Sequence, residues 1–437
     1  MRGEELAGFL YCDLGGIVRG RFMPADEAER RVPRGLGWVP ANHALTPFGE
    51  IAEPNRFGSV GDLRILPDPD TRVRVDLWED VGPLHFYLCD ATELDGSPWE
   101  CCPRTWLRGV LERFERETGA RVQAAFEHEF QLVSELPAPP PFSLEALRAA
   151  EPFAAQAVAA LRAAGAAPEL LLPEYGAHQF EVPCGVATGL AAADRSVIVK
   201  EVVREVARRL GQRATFAPLT APDAVGNGTH IHLSLCDADG GSLTYDEQAP
   251  GRLSALAAAF TAGVLAHAPA LAALTAPTAI SALRFAPHRW AASVACLGQQ
   301  NRETLLRISP LVELGGADPA PQHNVEYRAA DAAASPYLAL GALVCAGLEG
   351  IRRELPCPPV LDRDPNELDA AALAPYVGSS LPDSLEHALA ALEADAVASA
   401  WLPEALRETY FDVKRAELDA VAGRDPEEVC RRYARVY

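Results

Sequence analysis

The sequence predicts an α+β protein with a small N-terminal domain, residues 1–99, and a large domain, residues 100–437. Three observations carry this prediction. Residues 1 to about 99 read as short strands separated by turns, several later segments repeat apolar residues at helical spacing, and short strands with polar residues at alternate positions lie between those helices. A chain of 437 residues has room for roughly two or three domains and a large core. With 49% hydrophobic and 23% charged residues, the composition is that of a globular protein rather than a fibrous or disordered one.

In the first 99 residues, Asp13-Leu14-Gly15-Gly16 reads as a turn. Asp62 to Leu66 reads as a strand running into the turn Pro67-Asp68-Pro69-Asp70, and Thr71 to Leu77 alternates with the strand period. Gly96-Ser97-Pro98 closes this region. A helix follows on Trp106, Leu107, Val110, Leu111 and Phe114, and Gly119 stops it. A second helix is expected over about 143–164, ending at Gly165. A third, over about 192–210, carries Val199, Val202, Val203, Val206 and Leu210 and ends at Gly211. Leu253 to Leu283 contains no charged residue, but it is rich in alanine and includes His267, Pro269 and Pro277. It reads as a buried core helix followed by a loop, not as a membrane span.

Composition excludes several functions. Lys+Arg is 39 against 60 for Asp+Glu, a net charge of −21 that repels a phosphate backbone, and no basic patch offsets it, so no nucleic-acid partner is expected. Lysine occurs only at Lys200 and Lys414. Neither sits in a Gly-Lys-Ser/Thr loop, and both lie in helix-like charged runs, poor settings for a Schiff base. The ten cysteines form no C-x-x-C pair and no charged-then-apolar signal segment opens the chain, so reduced thiols in a cytoplasm are expected.

The chemistry lies in four strands. Strand geometry puts Glu127, Glu129 and Gln131 on one face of Phe126–Leu132, and Gln179 with Glu181 on one face of Gln179–Val182. Glu174 precedes that second strand across a turn. His230, His232 and Ser234 share a face opposite Ile231, Leu233 and Leu235, and Glu326 shares a face with Arg328. A solvated polar face accounts for any one strand alone, and structural histidines account for His230 and His232. If the faces converge, however, five carboxylates with few cations require neutralisation. Carboxylates with an imidazole suit Mg²⁺ or Mn²⁺ better than zinc or copper.

These residues resemble the signature blocks of the glutamine synthetase family: Glu127-His128-Glu129-Phe130, Glu174 to Glu181, and Gly226 to Ser234. Asn301-Arg302 with Arg307-Ile308, then Glu326-Tyr327-Arg328 with Pro336-Tyr337-Leu338, follow in the same order. The resemblance implies an N-terminal β-grasp-like domain and a glutamine synthetase-type catalytic domain with a curved antiparallel sheet and flanking helices. It also implies an active site at a subunit interface of a ring-shaped homo-oligomer, a dodecamer in the family. By matching position, Glu129, Glu174 and Glu181 would hold one Mg²⁺ or Mn²⁺ ion, and Glu127, His230 and Glu326 a second. Glu169, His232, Ser234, Arg302 and Arg307 would contact ATP. Gly226, Arg284 and Arg328 would bind glutamate, and Arg302, Arg284 and Arg328 would be the catalytic arginines. The reaction implied is phosphorylation of the γ-carboxylate of glutamate by ATP, followed by attack of an amine.

Departures from the family narrow the amine. Trp290 occupies the flap position where ammonia-using members carry a glutamate, and Val39-Pro40-Ala41-Asn42-His43 replaces an N-terminal Asp-Gly-Ser-Ser loop. Phe142 aligns loosely with a pocket tyrosine, Val225 replaces an asparagine, and Asp364–Asp369 lacks the tyrosine of adenylylated members. Losing the ammonium-site carboxylate removes about 2–5 kcal/mol of attraction, so an organic amine giving a γ-glutamyl amide is the expected product route. Trp38, His43, His288 and Trp290 are candidates to line the amine pocket, with interface packing the alternative for the tryptophans. An alkylammonium has a pKa of about 10 and needs a proton acceptor, for which His43 and His288 are candidates. A true glutamine synthetase using ammonia and a non-catalytic relative are the two other readings.

Overall fold

Apolar residues alternating along the first 92 positions build a six-stranded sheet in the computed structural model, whose described residues are 3–287, 289, 291, 292 and 294–437. Its strands are β1 (Leu6–Cys12), β2 (Val18–Pro24), β3 (Leu36–Trp38), β4 (Leu63–Pro67), β5 (Val73–Val75) and β6 (Leu84–Thr92). They run in the order β2-β1-β6-β4-β3, with β5 also on β6, and only β1–β6 is parallel. The expected turn joins β1 to β2, and the Asp13 carboxylate accepts the Gly15 and Ile17 N–H groups at 2.9 Å each. The strand expected from Thr71 shrinks to β5, because Thr71 closes a 3₁₀ turn, Pro69–Thr71.

The large sheet has ten strands among the described residues. They are β7 (Arg121–Leu132), β8 (Leu172–Pro173), β9 (Gln179–Val182), β10 (Ala187–Thr188), β11 (Ala214–Thr215), β12 (Thr229–Cys236), β13 (Val294–Gln299), β14 (Thr304–Ile308), β15 (Val325–Tyr327) and β16 (Val360–Leu361). The order is β16-β13-β14-β15-β12-β7-β9-β8, with β10 and β11 on β7. Pairing is antiparallel from β14 through β8, while β13 runs parallel to both β14 and β16, so the expected antiparallel sheet has a parallel margin.

Period-2 alternation gives this sheet two unlike faces. On β7, Val122, Ala124, Phe126, His128 and Phe130 are buried beneath helices, while Glu127 and Glu129 point the other way and are partly exposed. The helix Pro103–Thr118 ends at Gly119 (φ +72°), and Leu190–Arg209 is followed by Gly211 (φ +70°), as the sequence predicts. The expected 143–164 helix is instead two, Leu144–Ala149 and Phe153–Ala163, interrupted at Pro152, which cannot donate an N–H to a continuing helix.

The apolar stretch from Leu253 likewise forms two helices, Ala255–Ala266 and Ala268–Thr275, bent by 79°. Pro269 is tolerated because it lies in the first turn of the second helix, where its missing N–H would have had no partner. No single helix among the described residues is long and apolar enough to cross a membrane, and this bent pair, which passes on length and composition, is largely buried against Pro336–Arg352.

One charged group ties the two sheets together. Arg104, 3% exposed, donates to both Asp194 oxygens (2.9 and 2.8 Å), to Asp90 (3.0 Å) and to Asp68 (2.7 Å). Asp68 and Asp90 belong to the first sheet region, while Asp194 lies in the helix Leu190–Arg209 and also accepts the Tyr337 hydroxyl at 2.7 Å. Arg104→Met strands the buried Asp194 carboxylate without its cation. The expected cost is about 3–5 kcal/mol of unfolding free energy, read from urea denaturation; a loss below about 1 kcal/mol contradicts this role.

Candidate active site

Register assembles the site. Across β7 and β12, Glu127 pairs with His230; across β7 and β9, Glu129 pairs with Glu181. His232 of β12 pairs with Glu326 of β15, and Glu326 pairs with Arg307 of β14. Residues paired directly across strands have Cβ atoms about 4.5–5.5 Å apart, so five strands place these side chains in one continuous row. A solvated polar face no longer accounts for them: Glu326 is 1% exposed and His230 6%. The row, with Glu174 and Arg284 beside it, lines or underlies a cavity of about 860 Å³.

Two overlapping triads have ligand atoms within 4.8 Å of one another, Glu127/Glu181/His230 and Glu127/His232/Glu326. His230 Nδ1 lies 3.0 Å from Glu127 Oε2 and 3.4 Å from Glu326 Oε1, and His232 Nε2 lies 3.5 Å from Glu127 Oε2. Glu326 is also paired with Arg307 at 2.7 Å and with Arg328.

The charges divide accordingly. Burial opposes ionisation of Glu326, yet Arg328, His230, His232 and Arg307 hold its carboxyl down at about 2. Burial likewise opposes ionisation of Glu127, and hydrogen bonds from His230 and His232 outweigh it. Burial would lower His232, but contact with Glu127 and the field of Glu326 push it up to about 9. On the other side of the row the balance reverses. Burial and Glu129 push Glu174 up to about 7, and burial with Glu127 and Glu129 drives Glu181 well up. On the Glu174 and Glu181 side of the cluster, carboxylates therefore repel one another more than the nearby cations offset. This donor set of carboxylates with imidazole fits a hard divalent cation such as Mg²⁺ or Mn²⁺.

Glycines let the opposite wall close in. A Cβ on Gly226 would sit 2.8 Å from Arg284 Cγ, and one on Gly228 2.9 Å from Arg284 Nη2. Arg284 itself is buried, donates to Ala329 O at 3.3 Å and lies 3.6 Å from Asp331. The Gly228 N–H donates to Glu129 at 2.6 Å, and Gln179 Nε2 donates to Gly226 O at 2.8 Å, fixing the loop against the acidic row.

Comparisons with known proteins agree with this geometry. The glutamine synthetase catalytic domain model matches residues 100–433, and the glutamine synthetase N-terminal domain model matches residues 2–99. The chain belongs to the glutamine synthetase family. It is similar to the gamma-glutamylpolyamine synthetase GlnA3 of Streptomyces coelicolor, at 35% identity over 99% of this chain and 94% of that protein. It is also similar to the glutamine synthetase of Thermococcus kodakarensis, at 31% identity over 93% and 88%. A solved structure described as a novel glutamine synthase homolog matches 100% of this chain and 99% of its own length, with TM-score 0.92 and 47% identity. As a member of this family, the chain is an ATP-dependent ligase that uses divalent metal and acts on small molecules.

Not every residue implied by the family resemblance reaches the cavity. Glu127, Glu129, Glu174, Glu181, His230, His232, Gly226, Arg284, Arg302, Arg307 and Arg328 line it, with Glu326 paired to His230, Arg307 and Arg328. Glu169 is exposed and is not part of the lining. Ser234, two residues beyond His232, shares its face, but its hydroxyl donates to Gln123 at 3.4 Å outside the cavity wall. Trp38 and His43 are corrected: both are buried within their own sheet region. His43 is 0% exposed, packed between Tyr11 and Trp99 at 4.7 and 4.4 Å between ring centroids, and burial lowers its pKa to about 3. It therefore neither lines this cavity nor accepts a proton there. Trp290 and His288 lie outside the described residues. Phe142, Tyr175, Asp223 and Arg289 line the cavity too. Loops carry them, so no strand or helix period marks them in the sequence.

The electrostatics set a pH dependence. For Glu174, Glu181 and His232 the folded pKa lies above the ordinary value, so between the two values the folded protein binds more protons than the unfolded chain. Stability contributed by these groups therefore falls as pH rises. Buried His43, His85, His128 and His323 are held below the ordinary value and act in the opposite sense over the same range. The site's share is therefore read as a difference: the stabilisation by Mn²⁺ over chelator in calorimetry should be larger at pH 8 than at pH 5. Equal stabilisation at the two pH values, or no effect of Mn²⁺, contradicts the reading.

Proposed function

We propose that this enzyme joins the γ-carboxylate of glutamate to an organic amine through γ-glutamyl phosphate, releasing a γ-glutamyl amide, ADP and phosphate. One observation carries the reading: five carboxylates, two imidazoles and five arginines line a single cavity, with Glu326 paired to two of those arginines. The family resemblance assigns Glu129, Glu174 and Glu181 to one divalent ion and Glu127, His230 and Glu326 to a second. The ligand atoms gather as Glu127/Glu181/His230 and Glu127/His232/Glu326, so Glu181 also lies beside the second group and His232 is close enough to share it. The ions, when bound, supply charge neutralisation for phosphoryl transfer.

The remaining work falls to the arginines. Arg302 and Arg307 orient the phosphates, and Arg307 Nε is buried with no partner, leaving a donor for a phosphate oxygen. Arg284 and Arg328, held in place by Asp331, Glu326 and the Arg302 carbonyl, grip the amino-acid substrate. The γ-carboxylate oxygen attacks the terminal phosphorus and ADP leaves. The amine nitrogen then attacks the acyl carbon, phosphate leaves, and the nitrogen gives up its proton. Both steps are dominated by positioning and charge neutralisation.

The absence of a flap carboxylate at Trp290, the apolar Val225 and Phe142 in the cavity wall, and similarity to a gamma-glutamylpolyamine synthetase all support an organic amine. Similarity to archaeal glutamine synthetases supports ammonia as the second reading. Residues 1–99 are assigned to the N-terminal domain and 100–437 to the catalytic domain, in a cytoplasmic ring-shaped homo-oligomer.

A phosphate-release assay with ATP, Mg²⁺, glutamate and a panel of amines tests the proposal. An organic amine should exceed ammonia in kcat/KM by about tenfold or more, the scale of one lost ammonium contact. Trp290→Glu should shift that ratio toward ammonia. Equal use of ammonia by the wild type, or a ratio unmoved by the substitution, favours the glutamine synthetase reading.

A further inference from the structure

The ligase reading leaves one feature of the cavity unused. Phe142 and Tyr175 meet edge to face at its wall, with ring centroids 4.8 Å apart and planes at 89°. Both residues line the cavity while remaining 51% and 49% exposed. Phe142 also has φ +55°, a left-handed conformation that costs a bulky side chain on the order of 1–2 kcal/mol.

The position of the pair says what it would meet. Tyr175 directly follows Glu174, and its N–H donates to Glu174 Oε2 at 3.2 Å. The aromatic wall therefore begins one residue from the carboxylates beside which the acyl carbon must sit, with the apolar Leu172 on the same lining. A small cation would need only the carboxylates. An amine with a hydrocarbon tail has two unlike parts: an ammonium end drawn to the acidic row, and methylenes that gain by leaving water. Carboxylates and aromatic rings lie side by side here in the same order as those two parts.

We propose that Phe142 and Tyr175 form a clamp for the hydrocarbon chain of the amine, making this enzyme selective for primary amines that carry several methylene carbons. The proposal rests on the ligase reading and deepens it. It moves the determinant of amine choice from the N-terminal residues Trp38 and His43, buried elsewhere, to a loop and a turn of the catalytic region.

Phosphate release with ethylamine, propylamine, butylamine and pentylamine provides the test. In the wild type, kcat/KM should rise about 2- to 4-fold per methylene over the clamped part of the chain, the upper end being a fully buried CH₂. Phe142→Gly and Tyr175→Ala should flatten that rise below about 1.5-fold, while Tyr175→Phe retains it. Glycine adopts φ +55° without strain, so Phe142→Gly should keep or raise thermal stability, separating loss of the clamp from misfolding. Unchanged slopes in both variants overturn the clamp. So do unchanged slopes with dissociation of the oligomer in Phe142→Gly, which would assign the rings to subunit packing. Phosphate release that is indifferent to chain length in the wild type overturns the clamp alone. Absence of release with every amine and with ammonia overturns the ligase reading and the clamp together.

Discussion

Repulsion among carboxylates is the constraint on which the rest of this structure depends. Glu127, Glu129, Glu174 and Glu181 face one another across β7, β9 and the turn before β9, and no lysine is near enough to compensate. In water such a group would spread apart, but hydrogen-bonded strands fix the spacing, so the cost appears as carboxyls that resist ionisation. A site built this way has stored affinity for divalent cations, because metal binding relieves a repulsion that folding imposes.

The other half of the row is already neutralised. Glu326 carries two arginine partners and a nearby histidine, and is fixed as an anion. This asymmetry suits phosphoryl transfer. The arginines needed for phosphate and amino-acid substrates are preoriented by a buried carboxylate, while the underneutralised glutamates remain available to metal. Arg284 shows the same economy of space, since only glycines at 226 and 228 leave room for its side chain beside the acidic row.

Much of this was legible in the sequence, for a physical reason. Strand alternation has a fixed period, so the polar faces of Phe126–Leu132, Gln179–Val182 and His230–Leu235 could be read directly, and the order of the motifs located the family. Convergence was not legible from spacing, because it depends on register between strands up to about one hundred residues apart in the chain. Trp38 and His43 misled because aromatic residues near a motif suit a pocket and a core equally well; packing against Tyr11 and Trp99 decided for the core. Phe142 and Tyr175 carry no periodic signal, and Arg104 gathers three aspartates that the sequence scatters over 127 positions, Asp68 to Asp194. Loops and long-range ion pairs are the parts of a fold that pattern does not encode.

Counting bound Mn²⁺ by electron paramagnetic resonance tests the central claim most directly, since free and bound ion are distinguished without reference to turnover. The account predicts saturation at about two ions per chain, the number the donor set can ligate, falling to about one in Glu129→Ala with the second site retained. Titration showing no saturable Mn²⁺, or a full complement of ions after that substitution, would contradict it.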